Sequence, residues 1–310
     1  MRARLLTGKG LYGVPAPAKI NLFLHVTGRR DDGYHDLQTV FRFIGLYDWL
    51  DFDVRADGRI VREGRSLPGV ALRDDLIVRA ARLLQKATGT RLGVQMRLIK
   101  QIPAGGGLGG GSSDAATVLI ALNRLWGTGL DRKRLQSLGA ELGADVPVFI
   151  FGRPAFAEGR GDRFTSLSLP PAYYVIIQPR VHLATAQVFA DPGLTRDTKP
   201  VTISFFTEWQ SSAPRHAFGR NDLEPAAGRI SPEVAQLAGW LADEGFTARM
   251  SGSGSCFFVE CASARQAGVI RQAILGKIAA ATQQGYPERV RQVWAVPGLQ
   301  AHPLYAWLQD

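Results

Sequence analysis

The chain has 310 residues, of which 45% are hydrophobic and 21% charged, a composition typical of a globular protein with one large or two medium domains. It has no apolar run of about 18 residues and no signal-peptide core at its basic start, and two cysteines are too few for a disulfide framework or a structural zinc site, so we expect a cytoplasmic protein without a membrane span. The net charge of +10 excludes neither nucleic acid nor a small anionic substrate as partner, but the basic residues are interleaved with acids and form no block of five or six, which favours the small anion.

The first half of the chain alternates strand-like and helix-like segments. We predict, in chain order, a strand over residues 20–26, a turn-rich loop over 28–35, an apolar segment over 37–50, a strand over 52–55 and a helix over 76–87. Asp74 and Asp75 precede this helix as typical N-caps, and Gly89 follows it as a typical C-terminal residue.

A glycine-rich loop is the most informative segment. Six of the seven residues from Gly105 to Gly111 are glycine. A strand over 94–99 precedes them, and a helix that opens near Ser113 and closes at Gly127 follows. The start of a helix offers free N–H groups and the positive end of its dipole, so this arrangement predicts a phosphate site.

Three other interpretations of this loop compete. It lacks the Lys-Ser/Thr ending of a P-loop. It matches the dinucleotide pattern at Gly105, Gly107 and Gly110, but such a glycine-dense run matches by chance, and the expected acid about 20 residues later is missing. A flexible linker is disfavoured by the clear strand and helix on either side.

The second half predicts a βαββαβ order, which is typical of a ferredoxin-like layer. In the first half, a helix from Asp131 to near Gly143 precedes a short turn that starts at Asp145, and a loose segment over 165–171 suggests domains over 1–166 and 167–310. We then predict a strand over 173–178, helices, a helix capped by Ser231, strands over 246–250 and 256–260, a helix over 263–282 and a strand over 290–296.

Lys19 and Asp145 each stand among apolar residues. Lys19 is either an edge lysine that discourages strand pairing or an ammonium that contacts a phosphoryl group or a carboxylate. Asp145 is either a helix N-cap or, if partly buried, a carboxylate that needs a partner such as Lys19.

Two loops could contact a ligand. The small residues over 250–256 would admit a close backbone approach, or form a mobile tip. Tyr34 and His35 suit stacking on a flat heterocycle, or belong to an ordinary surface loop. The histidines show no metal-ligand spacing; they include His25, His182, His216 and His302.

These motifs together resemble those of the GHMP kinases, a family named for galactokinase, homoserine kinase, mevalonate kinase and phosphomevalonate kinase. They are Pro17-Ala18-Lys19-Ile20-Asn21-Leu22, Gly107-Leu108-Gly109-Gly110-Gly111-Ser112-Ser113, and Gly252-Ser253-Gly254. Residues 17–24, 33–39, 107–116 and 143–147 are most similar to the branch of the family that acts on 4-diphosphocytidyl-2-C-methyl-D-erythritol. The likeness runs from about residue 15 to near 297 and is loose near 195–215. The tail over 300–310 is poorly matched, so we expect it to be peripheral.

The resemblance implies an α+β, two-domain GHMP kinase fold. Its N-terminal part would be a ribosomal-protein-S5-domain-2-like layer that binds ATP, its C-terminal part the ferredoxin-like domain, and the substrate cleft would lie between them. The implied reaction is ATP-dependent phosphorylation of the substrate's 2-hydroxyl, in the non-mevalonate route to isoprenoid precursors, with ATP and Mg²⁺ as cofactors. We expect a monomer or weak homodimer that binds neither nucleic acid nor membrane.

The resemblance also implies roles for individual residues. Asp145 matches the catalytic aspartate and Lys19 its partner lysine. The substrate-binding residues would be Asn21, Tyr34, His35, Thr185 and Phe189, with Tyr34 and His35 at the positions that hold the cytosine. The ATP-binding residues would be Pro103, Ala104, Gly105, Gly106, Gly107, Leu108, Gly109, Gly110, Gly111, Ser112 and Ser113. Ser112 or Ser113 would lie near the magnesium, and the C-terminal glycine loop would comprise Gly252, Ser253 and Gly254.

Three rival functions remain open at this point. A nucleic-acid-binding protein would use the basic charge and show steeply salt-dependent binding. A dinucleotide-dependent oxidoreductase would use the glycine loop for a nicotinamide cofactor. A different GHMP kinase would keep the phosphate loop but lack selectivity for cytidine.

Overall fold

The computed structural model describes residues 4–6, 10–64, 74–212, 218–283 and 289–308. The strands in the described ranges are β1 (Arg4–Leu6), β2 (Gly10–Arg29), β3 (His35–Arg55), β4 (Ile60–Arg62), β5 (Gly93–Ile99), β6 (Ala155–Glu158), β7 (Arg163–Ser166), β8 (Tyr173–Pro179), β9 (Ala248–Met250), β10 (Phe257–Cys261) and β11 (Val290–Pro297). The helices there are α1 (Leu76–Thr88), α2 (Gly110–Leu125), α3 (Arg132–Leu142), α4 (Val146–Phe151), α5 (Thr185–Ala190), α6 (Ile203–Ser212), α7 (Glu224–Ile230), α8 (Pro232–Asp243) and α9 (Ala264–Gln283). His216 and the first three residues lie outside the described residues.

The first sheet is built on the long antiparallel pair β2 and β3. Its strand order is β1-β2-β3-β5-β4, and β6 pairs with both β3 and β7. Helices α1 to α4 share one large core with this sheet, whose fully buried members include Phe52, Leu84, Leu119 and Phe149. The predicted strand over 20–26 is only the middle of β2. Register shifts after Pro17 and Asn21 interrupt the alternation of inward and outward side chains, so the pattern alone did not reveal the full strand.

The second sheet has the order β11-β8-β10-β9 with antiparallel neighbours. This confirms the predicted ferredoxin-like order, and the α+β two-domain fold is confirmed with it. We propose that the domains meet after residue 166, between β7 of the first sheet and β8 of the second. The short strands β4, β6 and β7 were not predicted, because three or four residues carry too little periodicity to be recognised.

Several helix ends follow local capping chemistry. Asp75, rather than Asp74, accepts a hydrogen bond from Ile77 N at 3.1 Å, and Asp131 accepts one from Arg134 N at 2.7 Å. Gly89 ends α1 in the left-handed conformation. Ser231 is the N-cap residue of α8, as predicted, but its side chain makes no cap hydrogen bond, because its hydroxyl donates to the Glu233 carboxylate at 2.6 Å.

Helix α2 begins earlier than predicted, at Gly110 rather than near Ser113. Gly109 is its left-handed N-cap residue. A Cβ on Gly110 would lie 2.9 Å from Ile102 Cγ2, so close packing requires glycine in this first helical turn. Intrinsic helix propensity disfavours glycine, and the tertiary contact overrides it.

The C-terminal tail is not peripheral as predicted. Leu304 and Leu308 are 2% and 8% exposed and belong to the core of the first sheet. The chain therefore returns from β11 in the second sheet to the helical face of the first. Apolar side chains at wide spacing in a short tail gave no periodic signal, so sequence reasoning missed this return. Residues 309 and 310 lie outside the described residues.

Candidate active site

Lys19 and Asp145 form an ion pair between the first sheet and the start of α4. Lys19 Nζ lies 3.3 Å from Asp145 Oδ2. The lysine side chain is 4% exposed, whereas the aspartate side chain is 38% exposed. Asp145 stands before α4 but makes no side-chain cap hydrogen bond, so its carboxylate is directed to the lysine rather than to the helix. The buried ammonium thus has its counter-charge, and part of that counter-charge faces solvent.

Asn21 fixes the position of the Lys19 ammonium through a hydrogen bond. Its Oδ1 accepts from Lys19 Nζ at 2.7 Å, and its Nδ2 donates to Thr39 Oγ1 at 2.9 Å. Its backbone N donates to Ser251 Oγ at 3.3 Å. With 2% of its surface exposed, Asn21 has its polar groups engaged within the protein. The arrangement restricts the lysine to one position beside Asp145.

The glycine loop is attached to both halves of the molecule through three successive carbonyls. Gly106 O accepts from Cys256 N at 3.1 Å, Gly107 O from Ser251 Oγ at 3.0 Å, and Leu108 O from Lys19 N at 3.0 Å. The C=O and N–H of a trans peptide point in opposite directions. The amides that follow these carbonyls therefore point away from those partners, which leaves donors for an anion.

Close approach requires glycine at Gly107 and Gly109, among other positions of the loop. Gly107 has φ +72°, and a Cβ there would lie 1.9 Å from Ser251 O. Gly109 has φ +70°, and a Cβ there would lie 3.0 Å from Phe149 Cζ and 3.1 Å from Lys19 Cε. The glycines therefore let the backbone contact the second half, the ion pair and α4 at once.

The first turn of α2 offers further donors. The first amides of a helix have no acceptor within it, and Ser113 N is already bonded to Gly109 O at 2.8 Å. Ser113 is fully buried and its hydroxyl donates to Pro17 O at 2.7 Å, whereas Ser112 is half-buried. Of the two serines predicted near magnesium, Ser112 is thus the more available.

A buried charge cluster, missed by sequence reasoning, supports the start of the loop. Lys100 Nζ contacts Asp48 and lies 2.8 Å from Asp114 Oδ2. Asp48 Oδ1 also accepts from Gln101 N at 2.6 Å and Ile102 N at 2.9 Å. Burial, together with the nearby Asp48, raises the pKa of the Asp114 carboxyl, against the opposing effect of Lys100. The sequence feature that could have indicated this cluster was Asp48, a charged residue within the mostly apolar segment of β3.

The C-terminal glycine loop lies between β9 and β10 and is buried, which rules out a mobile tip. Asn221 Nδ2 donates to Met250 O and Gly252 O, both at 2.8 Å. A Cβ on Gly252 would lie 3.2 Å from Asn21 Oδ1 and 3.3 Å from Lys19 Nζ. This loop therefore closes directly over the ion pair, while Gly254 packs on Met250 Sδ.

The predicted substrate residues of the two halves meet beside this loop. Ser253 Oγ lies 2.8 Å from Thr185 Oγ1 at the start of α5. The Phe189 ring, on the same helix, lies 5.3 Å from the His35 ring. Tyr34 is 55% exposed at the rim, with the Arg160 guanidinium 4.1 Å from its ring centre. These contacts connect the ion pair to an aromatic edge formed by Tyr34, His35 and Phe189.

Arg196 completes this edge and was not predicted. Its Nε donates to His35 Nε2 at 3.1 Å, and its Nη2 donates to Asp191 O at 2.8 Å. Burial, followed by the charges of Arg196 and Arg29, lowers the pKa of His35. A neutral imidazole that accepts at Nε2 carries its proton on Nδ1. Residues near 195 have no distinctive pattern, so only the folded chain reveals this contact.

The described cysteines and histidines form neither a disulfide nor a metal site. Both described cysteines are free and buried, and burial raises the pKa of Cys256 to about 12. No group of three or more His, Cys, Asp or Glu side chains in the described ranges is arranged to hold a metal ion.

Among the helices that the structure describes, none is long and apolar enough to span a bilayer.

Comparison with known proteins places this chain in a family. Residues 75–153 match the GHMP kinases N terminal domain, and residues 206–278 match the GHMP kinases C terminal domain. The 4-diphosphocytidyl-2-C-methyl-D-erythritol kinase of Bordetella bronchiseptica is 55% identical over 304 residues, which cover 96% of this chain and 99% of the relative. The enzyme of the same name from an Azoarcus species is 52% identical and covers 96% of this chain and 98% of the relative.

Solved structures agree with the sequence matches. A crystal structure of 4-(cytidine 5'-diphospho)-2C-methyl-D-erythritol kinase has 34% sequence identity and a TM-score of 0.74, and covers 92% of this chain and 98% of the other. The L. major mevalonate kinase, at 16% identity and a TM-score of 0.67, shares the fold. The chain therefore belongs to the 4-diphosphocytidyl-2-C-methyl-D-erythritol kinase family of the GHMP kinases.

Proposed function

We propose that this protein transfers the terminal phosphoryl group of ATP to the 2-hydroxyl of 4-diphosphocytidyl-2-C-methyl-D-erythritol. The products are the 2-phosphate and ADP, and the step belongs to the non-mevalonate route to isoprenoid precursors. The observation that carries the proposal is the Lys19–Asp145 pair, 3.3 Å apart, beside the glycine loop of a chain 55% identical to kinases of that name.

Asp145 is the group assigned to the acceptor hydroxyl. A carboxylate is too weak a base to ionise an alcohol in the ground state. Phosphoryl transfer passes through a loose transition state, in which little bond formation to the nucleophile is needed early. Asp145 would therefore orient the hydroxyl and take its proton late, at Oδ1 or Oδ2. Its solvent-exposed fraction supports access by substrate.

Lys19 and the glycine loop are assigned to the phosphates. The ammonium would offset negative charge on the transferring group and hold the Asp145 carboxylate in place. The amides of Gly107, Leu108 and Gly109, with the first amides of α2, would bind the phosphate oxygens of ATP.

Magnesium fits this site as a partner of ATP. The described residues hold no carboxylate cluster for a resident ion, and Mg²⁺ is commonly bound by substrate phosphates with few protein ligands. Ser112 is the residue that would contact it. When bound, the ion neutralises charge on the phosphate oxygens.

The cytosine is assigned to the edge formed by Tyr34, His35 and Phe189. Aromatic rings can stack on the base, and His35 Nδ1–H can donate to it. Thr185 and Ser253 lie between this edge and the ion pair, where the diphosphate would pass. The positive charge of the chain favours binding of this anionic substrate.

The test is ADP release by purified protein supplied with Mg-ATP and 4-diphosphocytidyl-2-C-methyl-D-erythritol, with mevalonate and homoserine in parallel. We expect turnover of the cytidine substrate only. Asp145→Asn, which preserves shape, should reduce kcat by about 10³-fold or more while cytidine diphosphate still binds. Asp243→Asn is the matched control: it makes the same substitution at an exposed position on α8, and it should behave as the parent protein.

Two results would contradict the proposal. Equal turnover of mevalonate or homoserine would point to another GHMP activity. Full activity of Asp145→Asn would remove the assigned role of the carboxylate.

A further inference from the structure

Helix α4 connects Asp145 to the back of the first domain. Asp145 precedes its first residue, and Gly152 follows its last. The helix has only six residues, too few for its own hydrogen bonds to stabilise it. The position of Asp145 therefore depends on what holds the other end of α4.

That other end is held by α3 and by the C-terminal tail. Arg132 Nη1 donates to Ile150 O at 2.9 Å and to Phe151 O at 3.2 Å. In the tail, His302 N donates to Gly152 O at 2.8 Å. These three carbonyls end the helix, and their partners come from distant parts of the chain.

Tyr305 in turn holds Arg132. The Arg132 guanidinium lies 4.3 Å from the Tyr305 ring centre, and Arg153 lies 4.6 Å from it. Arg132 Nη2 also donates to Tyr305 O at 3.4 Å. A Cβ on Gly152, which has φ +75°, would lie 2.9 Å from Tyr305 Cδ2, so the ring packs directly on the end of α4.

A second route joins the tail to the ion pair. The buried His302 ring lies 5.9 Å from the Phe43 ring, and Phe43 lies 5.4 Å from the Phe149 ring of α4. Phe149 faces Gly109, where a Cβ would meet its ring at 3.0 Å. Displacement of the tail would therefore shift α4 at its middle as well as at its end.

We infer that the C-terminal tail, through its described residues 300–308, positions the Asp145 carboxylate, with Tyr305 and Arg132 as positioning residues. This inference rests on the proposed kinase function. Neither residue needs to contact substrate. Each acts through α4, and a shift of about 1 Å in a reacting group is enough to reduce turnover by about 100-fold.

The tail offers a matched control. Trp307 packs under the Arg124 guanidinium at 5.0 Å, and Arg124 lies in the last turn of α2, not on α4. Trp307→Ala therefore removes a comparable arginine–aromatic contact from the same segment without releasing the end of α4. Tyr305→Phe retains the ring between its two arginines and should rescue the effect of Tyr305→Ala.

The experiment measures kcat, both KM values, the melting temperature and hydrogen exchange of the α4 amides in the full chain. We expect Tyr305→Ala to lower kcat at least about tenfold, with KM changed less than about threefold, and to speed exchange over residues 146–151. Trp307→Ala should lower the melting temperature but leave kcat within about twofold. If Tyr305→Ala does not fold, Tyr305→Leu keeps apolar volume, lacks the aromatic face and should show the same loss.

The outcomes separate the inference from the proposed function. An inactive parent protein contradicts the proposed function, and α4 exchange still tests the tail. An active parent with unchanged kcat and unchanged α4 exchange in Tyr305→Ala overturns the inference. Equal kcat losses in Tyr305→Ala and Trp307→Ala also overturn it, because they would indicate only general stabilisation by the tail.

Discussion

Arg196 Nε donates a hydrogen bond to His35 Nε2 across 3.1 Å, so the imidazole must be neutral and carry its proton on Nδ1. Burial and the arginine charges act in the same direction and lower the pKa of His35. The contact joins the first residue of β3 to the segment after α5. It therefore links base recognition to a residue outside the recognised motifs.

The first prediction concerns the pH dependence of cytidine diphosphate binding. Since the pKa of His35 is lowered, the neutral form persists below the ordinary histidine pKa of about 6.5, and binding should weaken only as the pH falls further, through the folded-state pKa. Arg196→Gln removes one of the charges that lower this pKa. The acid loss of binding should then begin at a higher pH, as measured by calorimetry between pH 5 and 8.

Arg229→Gln is the control for this prediction. Arg229 Nη2 lies 2.7 Å from Asp191 Oδ1, so this exchange loosens the same corner of α5 without touching His35. Its binding profile should follow that of the parent protein. Identical pH profiles for Arg196→Gln and the parent would show that Arg196 does not govern the ionisation of His35.

The second prediction concerns Gly107. Gly107→Ala adds a Cβ that would lie 1.9 Å from Ser251 O, so the two loops must separate. Gly127→Ala provides the comparison, because Gly127 has φ +62° but open space around it. We expect Gly127→Ala to lower the free energy of unfolding by about 1–2 kcal/mol through backbone strain alone. Gly107→Ala should lower it further and weaken ATP binding, in denaturant titrations and calorimetry. Equal effects of both changes on stability and binding would contradict the close loop contact.

The third prediction separates the two serines of the α2 start. Ser113→Ala removes the buried hydroxyl that donates to Pro17 O, and should lower the free energy of unfolding by about 1–3 kcal/mol without changing the Mg²⁺ requirement. Ser112→Ala should leave stability nearly unchanged and raise the Mg²⁺ concentration needed for half-maximal turnover. The measurements are denaturant unfolding and a magnesium titration of activity. A reversed pattern would assign the ion to Ser113.

The fourth prediction concerns thiol reactivity. Burial raises the pKa of Cys256 to about 12 and, with the nearby Glu260, that of Cys261 to about 11. At pH 8 both are thus thiols rather than reactive thiolates. The native protein should resist Ellman's reagent, and both cysteines should react once it is unfolded in guanidinium. Rapid reaction of either thiol in the native protein would show that its segment opens.

Local sequence patterns predicted many of the helix ends and the order of the longer elements. Asp75, Asp131 and Gly89 end helices through groups only a few residues away, so the sequence carries that information directly. The βαββαβ order was predicted for the same reason, because each element has its own hydrophobic period. Local rules were incomplete where another contact competes: the Ser231 hydroxyl bonds the Glu233 carboxylate two residues away instead of capping α8, and α2 begins at a glycine that packs on Ile102.

By itself, the sequence determined the family and the order of the longer elements, and it predicted the glycine loop as an anion site, because these depend on short motifs and on the period of apolar residues. The sequence already suggested Lys19 as a partner for Asp145, and the tertiary structure set their separation at 3.3 Å. Only the tertiary structure decided that Arg196 meets His35 and that Tyr305 packs on the end of α4. Each of these contacts joins segments far apart in the chain. Their geometry follows from how the two sheets and the tail pack together, and no local pattern encodes that packing.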